Sequence, residues 1–127
     1  MAIQKRNAAA VNLFTADLEQ NKGELHMEIV PVNTTPYAAG AEPVIICTTG
    51  AVNLVVNLPQ ITQGGVAVHR GKVYAIKKYD AGAGQVIVTP FAGDVIDGAG
   101  SRAIVNQYNV IIIVAGSTTA WHVISTT

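Results

Sequence analysis

Two aspartates, Asp94 and Asp97, stand three residues apart in Gly93-Asp-Val-Ile-Asp-Gly98. Calcium takes oxygen ligands from such loops, but a calcium loop needs further ligands at alternating positions, and none follows here. Asp before Gly is also ordinary turn chemistry, because a short carboxylate bonds its own backbone amides. The turn is the reading we adopt. His26, His69 and His122 are scattered, with no pair at the short spacing of zinc ligands. Ser101, Ser117 and Ser125 lie in no nucleophile-elbow pattern. Gly82-Ala-Gly84 and Gly98-Ala-Gly100 lack the spacing, the lysine and the following helix that cradle phosphate. Cleaving a glycosidic bond would need two carboxylates facing each other across a cleft, whereas Asp94 and Asp97 share one turn. The sequence therefore predicts no catalytic residue, no metal site and no cofactor. The chain is not expected to be an enzyme.

Two further groups have chemistry of their own. Cys47 is the only cysteine, so no intrachain disulfide can form, and its setting in Val44-Ile-Ile-Cys-Thr-Thr49 predicts a buried, inert thiol. Tyr79, Tyr108 and Trp121, if exposed, would form a platform on which sugar rings stack. With aromatics at 6% of the chain, packing in the core or at its rim competes with that use.

The elements that must position these residues are short. At 127 residues the chain has room for one domain with a modest core. Half the residues are hydrophobic and only 13% are charged, about half the usual 25% of a soluble domain. The mean hydropathy is +0.35. A small domain has much surface for its volume, so a monomer of this composition would expose apolar area of the kind that marks interfaces. An oligomer, or permanent attachment to a larger surface, is expected.

Eight basic residues balance eight acidic ones, so no broad field attracts nucleic acid. Lys5-Arg6, Arg70 with Lys72, and Lys77-Lys78 read as small solvated groups. The start, Met-Ala-Ile-Gln-Lys-Arg, lacks the apolar core of a signal peptide, and Val110 to Ala115 is too short to span a bilayer. Neither nucleic acid nor membrane is an expected partner, and synthesis in a cytoplasm is expected.

Residues 1–33 differ from the rest and are read as an N-terminal arm. Val11, Phe14 and Leu18 recur at helical spacing, so a short helix and an extended arm both remain open. Met27 to Val32 reads as a strand that Pro31 confines to an edge or to a contact between subunits. Residues 34–43 form a turn-rich connector, and residues 34–127 form the β-strand module. Strands are expected at Val44–Thr48, Val52–Leu58, Val66–His69, Lys72–Tyr79, Gln85–Thr89, Ala103–Gln107, Val110–Ala115 and Ala120–Ser125. Asp80-Ala-Gly-Ala-Gly84 reads as a flexible loop between two of them. Even spacing with Gly, Pro, Asn and Asp between strands predicts an all-β fold, a compact antiparallel sandwich or barrel-like module. Successive strand residues point to opposite faces, so Val110-Ile-Ile-Ile-Val114 is apolar on both. One face can fill the core, and something else must cover the other.

The segments Val44-Ile-Ile-Cys-Thr-Thr, Val56-Asn-Leu-Pro, Val73-Tyr-Ala-Ile-Lys-Lys-Tyr-Asp80, Val86-Ile-Val-Thr-Pro90, Gly93-Asp-Val-Ile-Asp-Gly98, Gln107-Tyr108 and Trp121-His-Val-Ile124 follow one another in a characteristic order. From Pro36 to Ile124, about seventy per cent of the 127 residues, the chain resembles a small β module of bacteriophage tail-fibre, head-fibre, appendage and capsid-surface proteins. The resemblance implies a non-enzymatic homotrimer on the virion exterior. A chain complete at 127 residues, with an arm and without a repetitive shaft, is the expectation that favours a capsid decoration (cement) protein bound to the major capsid protein. Leu13, Phe14, Leu18 and Ile29 of the arm, with Val110, Ile112 and Val114, would then make capsid or subunit contacts. The alternative is a tail-fibre or head-fibre module that binds a host receptor or glycan through Tyr79, Tyr108 and Trp121.

Overall fold

Val44-Ile-Ile-Cys47, Leu54-Val-Val-Asn57, Val86-Ile-Val-Thr89 and Val110-Ile-Ile-Ile-Val-Ala115 are rich in β-branched side chains, which fit a pleated, half-buried surface. In a computed structural model, which describes residues 26–127, each of these runs is a strand. The described residues hold β1 (Ile29–Val32), β2 (Tyr37–Ala38), β3 (Val44–Cys47), β4 (Leu54–Asn57), β5 (Val73–Lys78), β6 (Val86–Thr89), β7 (Val95–Ile96), β8 (Arg102–Ile104), β9 (Val110–Ala115) and β10 (Ala120–Thr126), and no helix. Leu13, Phe14 and Leu18 lie outside the described residues.

Up to β8 the chain alternates between two sheets. Odd-numbered strands enter a six-stranded sheet of order β1-β3-β5-β9-β10-β7, and even-numbered ones a four-stranded sheet of order β2-β4-β6-β8. This winding corrects the antiparallel expectation. Strands β1 and β3, β3 and β5, β2 and β4, β4 and β6, and β7 and β10 all pair in parallel. The pairs β5–β9, β9–β10 and β6–β8 are antiparallel. Parallel neighbours need a long crossover, commonly a helix. Here the crossover is a strand of the opposite sheet: between β3 and β5 the chain crosses over as β4 and returns.

The inner faces share one core. Ile45 and Cys47 of β3, Tyr74 and Ile76 of β5, Ile111 and Ile113 of β9, and Trp121 of β10 face Leu54, Val56, Val86, Val88 and Ile104 of the four-stranded sheet. All are buried. The strand predicted around Pro31 is β1, an edge strand in register with β3, and Val32 at its end is buried. Several expectations fail locally: the strand expected over Ala103–Gln107 ends at Ile104, and Val95–Ile96, read as part of a turn, forms β7. Tyr37–Ala38, placed in the connector, forms β2. Val66–His69 joins neither sheet, and Val66 and Val68 are exposed; the Gly64-Gly65 turn closes on an isolated bridge between Gln63 and Val66, and the Val68 amide donates to Val66 O as the turns continue.

Candidate functional site

Lys77 and Lys78 are neighbours in a strand, so they must point to opposite faces. Lys78 points inward and is fully buried, which corrects its reading as a solvated charge. Its Nζ donates to Gly82 O at 2.9 Å, Asp80 O at 2.7 Å and Thr49 Oγ1 at 3.2 Å, and pairs with Asp80 Oδ1 at 3.3 Å. The Asp80 carboxylate accepts from the amides of Thr49 and Gly50 at 2.9 Å and of Gly82 at 3.1 Å. The Thr49 amide, then those of Gly50 and Gly82 together with Lys78, hold the Asp80 carboxyl well below the usual carboxylate range, against the opposing effect of burial. The 80–84 loop, expected to be flexible, is thus pinned to the β3–β4 turn. Its glycines leave no room there: a Cβ on Gly84 would sit 1.9 Å from Val52 O, and one on Gly82 2.2 Å from Gly50 O. Every polar atom of this cluster is spent on closing the sandwich end.

A buried carboxylate, Glu42, closes another corner. Glu42 accepts from the Tyr37 hydroxyl and, through both oxygens, from the Gly40 amide at 3.1 Å. Burial would raise its pKa, but the Tyr37 and Gly40 bonds and nearby Lys72 outweigh it and the net direction is down. Tyr74 donates to Gly40 O beside it, and burial, with Glu42 nearby, pushes its hydroxyl up to about 12.

The two aspartates of the glycine-rich turn act apart. Asp94 is buried and its Oδ2 accepts the Ile61 amide at 3.1 Å. Asp97, at φ +47°, accepts the Val123 amide at 3.2 Å and pairs with Arg102 at 3.3 Å. His122 Nδ1 is 3.8 Å from the same carboxylate. Among the described residues no three His, Cys, Asp or Glu side chains gather to hold a metal ion. Cys47 is fully buried, and burial pushes its thiol up to about 12. No helix among the described residues is long and apolar enough to cross a membrane.

The outer face of the six-stranded sheet is the largest feature without an internal role. One row across it reads Ile29, Val44, Ala75, Ile112 and Ser125, and the next Pro31, Ile46, Lys77 and Val110. Val73, Val114 and His122 form a third. Val110, Ile112 and Val114 are half-buried there, while Ile111, Ile113 and Ala115 of the same strand fill the core. Ile29 is exposed at the edge. The face spans five strands about 4.8 Å apart and rows about 7 Å apart, an outline on the order of 400 Å² that is mostly apolar. The opposite outer face is narrower, with Val55, Ile87 and Ala103 in one row.

The three candidate platform aromatics separate. Trp121 faces inward, is fully buried and packs on Tyr74 with ring centroids 5.7 Å apart. It cannot belong to a surface platform. Its alternation with exposed His122 was visible in the sequence; which of the two faces inward was fixed only by pairing of Trp121 with buried Ala115 on β9. Its Nε1 has no acceptor among the described residues. Tyr79 and Tyr108 are 55% and 57% exposed and meet edge to face, centroids 6.0 Å apart. Lys77 Nζ stands 5.4 Å from the centre of the Tyr108 ring, which puts the pair at one end of the apolar face. No protein-family model matches the chain, and no curated protein matches it.

Proposed function

We propose that the chain is a structural, non-enzymatic subunit that works by assembling with copies of itself. In full, it decorates the outer surface of a bacteriophage head as a homotrimer, binds the major capsid protein and stabilises the shell. The observation that carries this reading is the outer face of the six-stranded sheet. Rows made mostly of Val, Ile, Ala and Pro side chains, with Lys77, His122 and Ser125 among them, stand there on strands whose inner faces already fill a core. Removing such a surface from water is favourable in proportion to its apolar area. A footprint of roughly 400 Å² is about half the ~800 Å² per partner of a standard interface. One contact of that size is weak. A closed ring holds each copy twice, and that closure makes the assembly stable.

The virion setting is supported by the resemblance of residues 36–124 to phage surface modules. Binding to a shell through three equivalent contacts on one rigid trimer would multiply a weak single affinity. Immunogold labelling of intact virions from the source tests the setting. Gold spread over the head supports decoration. Gold confined to the tail moves the chain to an adsorption appendage, and particles without gold refute a virion role.

A further inference from the structure

Threefold assembly, as proposed above, cannot use one patch alone. A contact that sets the same patch of two copies against each other closes at two copies, whereas a ring of three needs two different patches on every copy. The outer face of the six-stranded sheet is one of them. The second must lie elsewhere on the chain, apolar enough to meet that face and fixed relative to it.

The 63–68 turn has those properties. Gln63-Gly-Gly-Val-Ala-Val68 carries no charge, and Val66 and Val68 are 61% and 52% exposed. Turns draw mainly on Gly, Pro, Asn, Asp and Ser, and this one needs its glycines, Gly64 at φ +59° and Gly65 at φ +79°. It does not need valine. β-branched side chains suit a pleated surface, yet this segment joins neither sheet. Local structure therefore accounts for the glycines and leaves two exposed valines without an internal role. Val52 and Phe91, exposed singly in other turns, are the ordinary case.

The turn is also held rigidly. Gln63 and Val66 exchange two backbone hydrogen bonds, at 2.9 and 3.1 Å. At its base Thr62 Oγ1 donates to Thr118 O at 2.7 Å, and the amide of fully buried Ile61 donates to Asp94 at 3.1 Å. Beyond the turn, the His69 amide returns to Ile61 O at 3.2 Å and the Gly71 amide reaches Ala115 O at 2.7 Å. That last bond ties the segment to β9, which carries Ile112 and Val114 of the face. Tip and face thus keep a fixed relation within one copy, and such a relation lets a ring close at a definite number. Groups already fixed lose little freedom on docking.

We infer, building on the assembly reading, that the 63–68 turn of each copy seats Val66 and Val68 on the outer sheet face of the next copy, around Ile112 at its middle. The turn brings no charge onto that face, so docking strips no ion of its water there. Lys77 stands toward the Tyr108 end of the face, where its stem can be covered while the ammonium stays at the rim.

Sedimentation equilibrium of the full chain carrying Val66→Asp and Val68→Asp together tests it. The sedimenting mass should fall threefold, to about the 13.2 kDa of one chain, with an unchanged circular-dichroism spectrum because both sites are exposed. Cysteine cross-linking reads the geometry, since buried Cys47 is the only native thiol. Val68→Cys and Ile112→Cys in one chain, treated with a short bismaleimide, should give covalent trimer, and either substitution alone should give none. A charged variant that stays trimeric would overturn the inference and leave the assembly reading standing; the valines would then serve another partner. Cross-linking by Ile112→Cys alone would overturn it too, because the face would be meeting its own counterpart. An unsubstituted chain that sediments as a monomer would instead refute the assembly reading itself, and the turn contact with it.

Discussion

Replacing Lys78 by methionine keeps the buried stem and deletes only the ammonium, so it measures what the charged clasp contributes. In the folded chain that ammonium satisfies Thr49 Oγ1, two backbone carbonyls and one oxygen of Asp80. Breaking a buried ion pair by removing one partner costs about 3–5 kcal/mol. Asp80 retains its amide donors and its side chain is 20% exposed, so the low end, about 3 kcal/mol, applies. Domains of this size have roughly 5–15 kcal/mol of stability in all. At about 4–8 °C per kcal/mol, the melting temperature should fall by about 12–24 °C. The assay is urea unfolding near neutral pH at equal protomer concentration, because assembly makes apparent stability concentration-dependent. The midpoint should fall with an unchanged slope. Lys77→Met, on the opposite face of the same strand, should cost under about 1 kcal/mol. A loss below about 1 kcal/mol for Lys78→Met would refute the argument that this lysine holds the sandwich end together.

The same end of the fold gives a glycine contrast. Gly84→Ala drives a Cβ into Val52 O and should cost about 3 kcal/mol or prevent folding, whereas Gly64→Ala, at φ +59° in open space, should cost about 1 kcal/mol; equal costs by denaturant titration would contradict the packing. Asp80 and Glu42 both titrate below their ordinary values in the folded chain, so their stabilisation is complete above the unfolded pKa and is lost as pH falls through the folded one. Stability should be level from pH 7 to about 5 and decline below about 4, and Asp80→Asn should flatten that decline. A decline of the same steepness in Asp80→Asn would show that this carboxylate does not couple to folding. Cys47, with its thiol pushed up to about 12 by burial, should resist iodoacetamide at pH 8 until the chain is unfolded; rapid labelling of the native protein would contradict its burial.

Much of the strand content is legible locally. Val110–Ala115 is a strand with the predicted bounds, and Pro31 marks an edge, because β-branched runs and a missing amide act within a few residues. The pairing direction was not legible. Whether the chain after Cys47 turns back beside β3 or crosses to the other sheet leaves the same local pattern of apolar residues. The burial of Lys78 was half legible: alternation in Val73–Lys78 requires one of two adjacent lysines to face inward, and Asp80 and Gly82 nearby are groups that receive it. What concealed it was the habit of reading paired lysines as solvated. The position of Trp121 depended on register with β9, which no local feature encodes. Val66–His69 carried strand-forming residues, yet backbone bonds within the 60–72 turns removed it from both sheets.

The central claim is that the outer face of the six-stranded sheet is a contact between copies of this chain. Sedimentation equilibrium of the full chain tests it, alongside Ile112→Asp in the middle of that face and Ile87→Asp on the outer face of the other sheet. The unsubstituted protein should sediment as a trimer of about 40 kDa, three times its 13.2 kDa. Ile112→Asp should yield folded monomer, because an unpaired charge cannot be buried in an apolar contact, and Ile87→Asp should leave the trimer intact. An unsubstituted chain that remains monomeric at high micromolar concentration, or an Ile112→Asp chain that remains trimeric, would contradict the account.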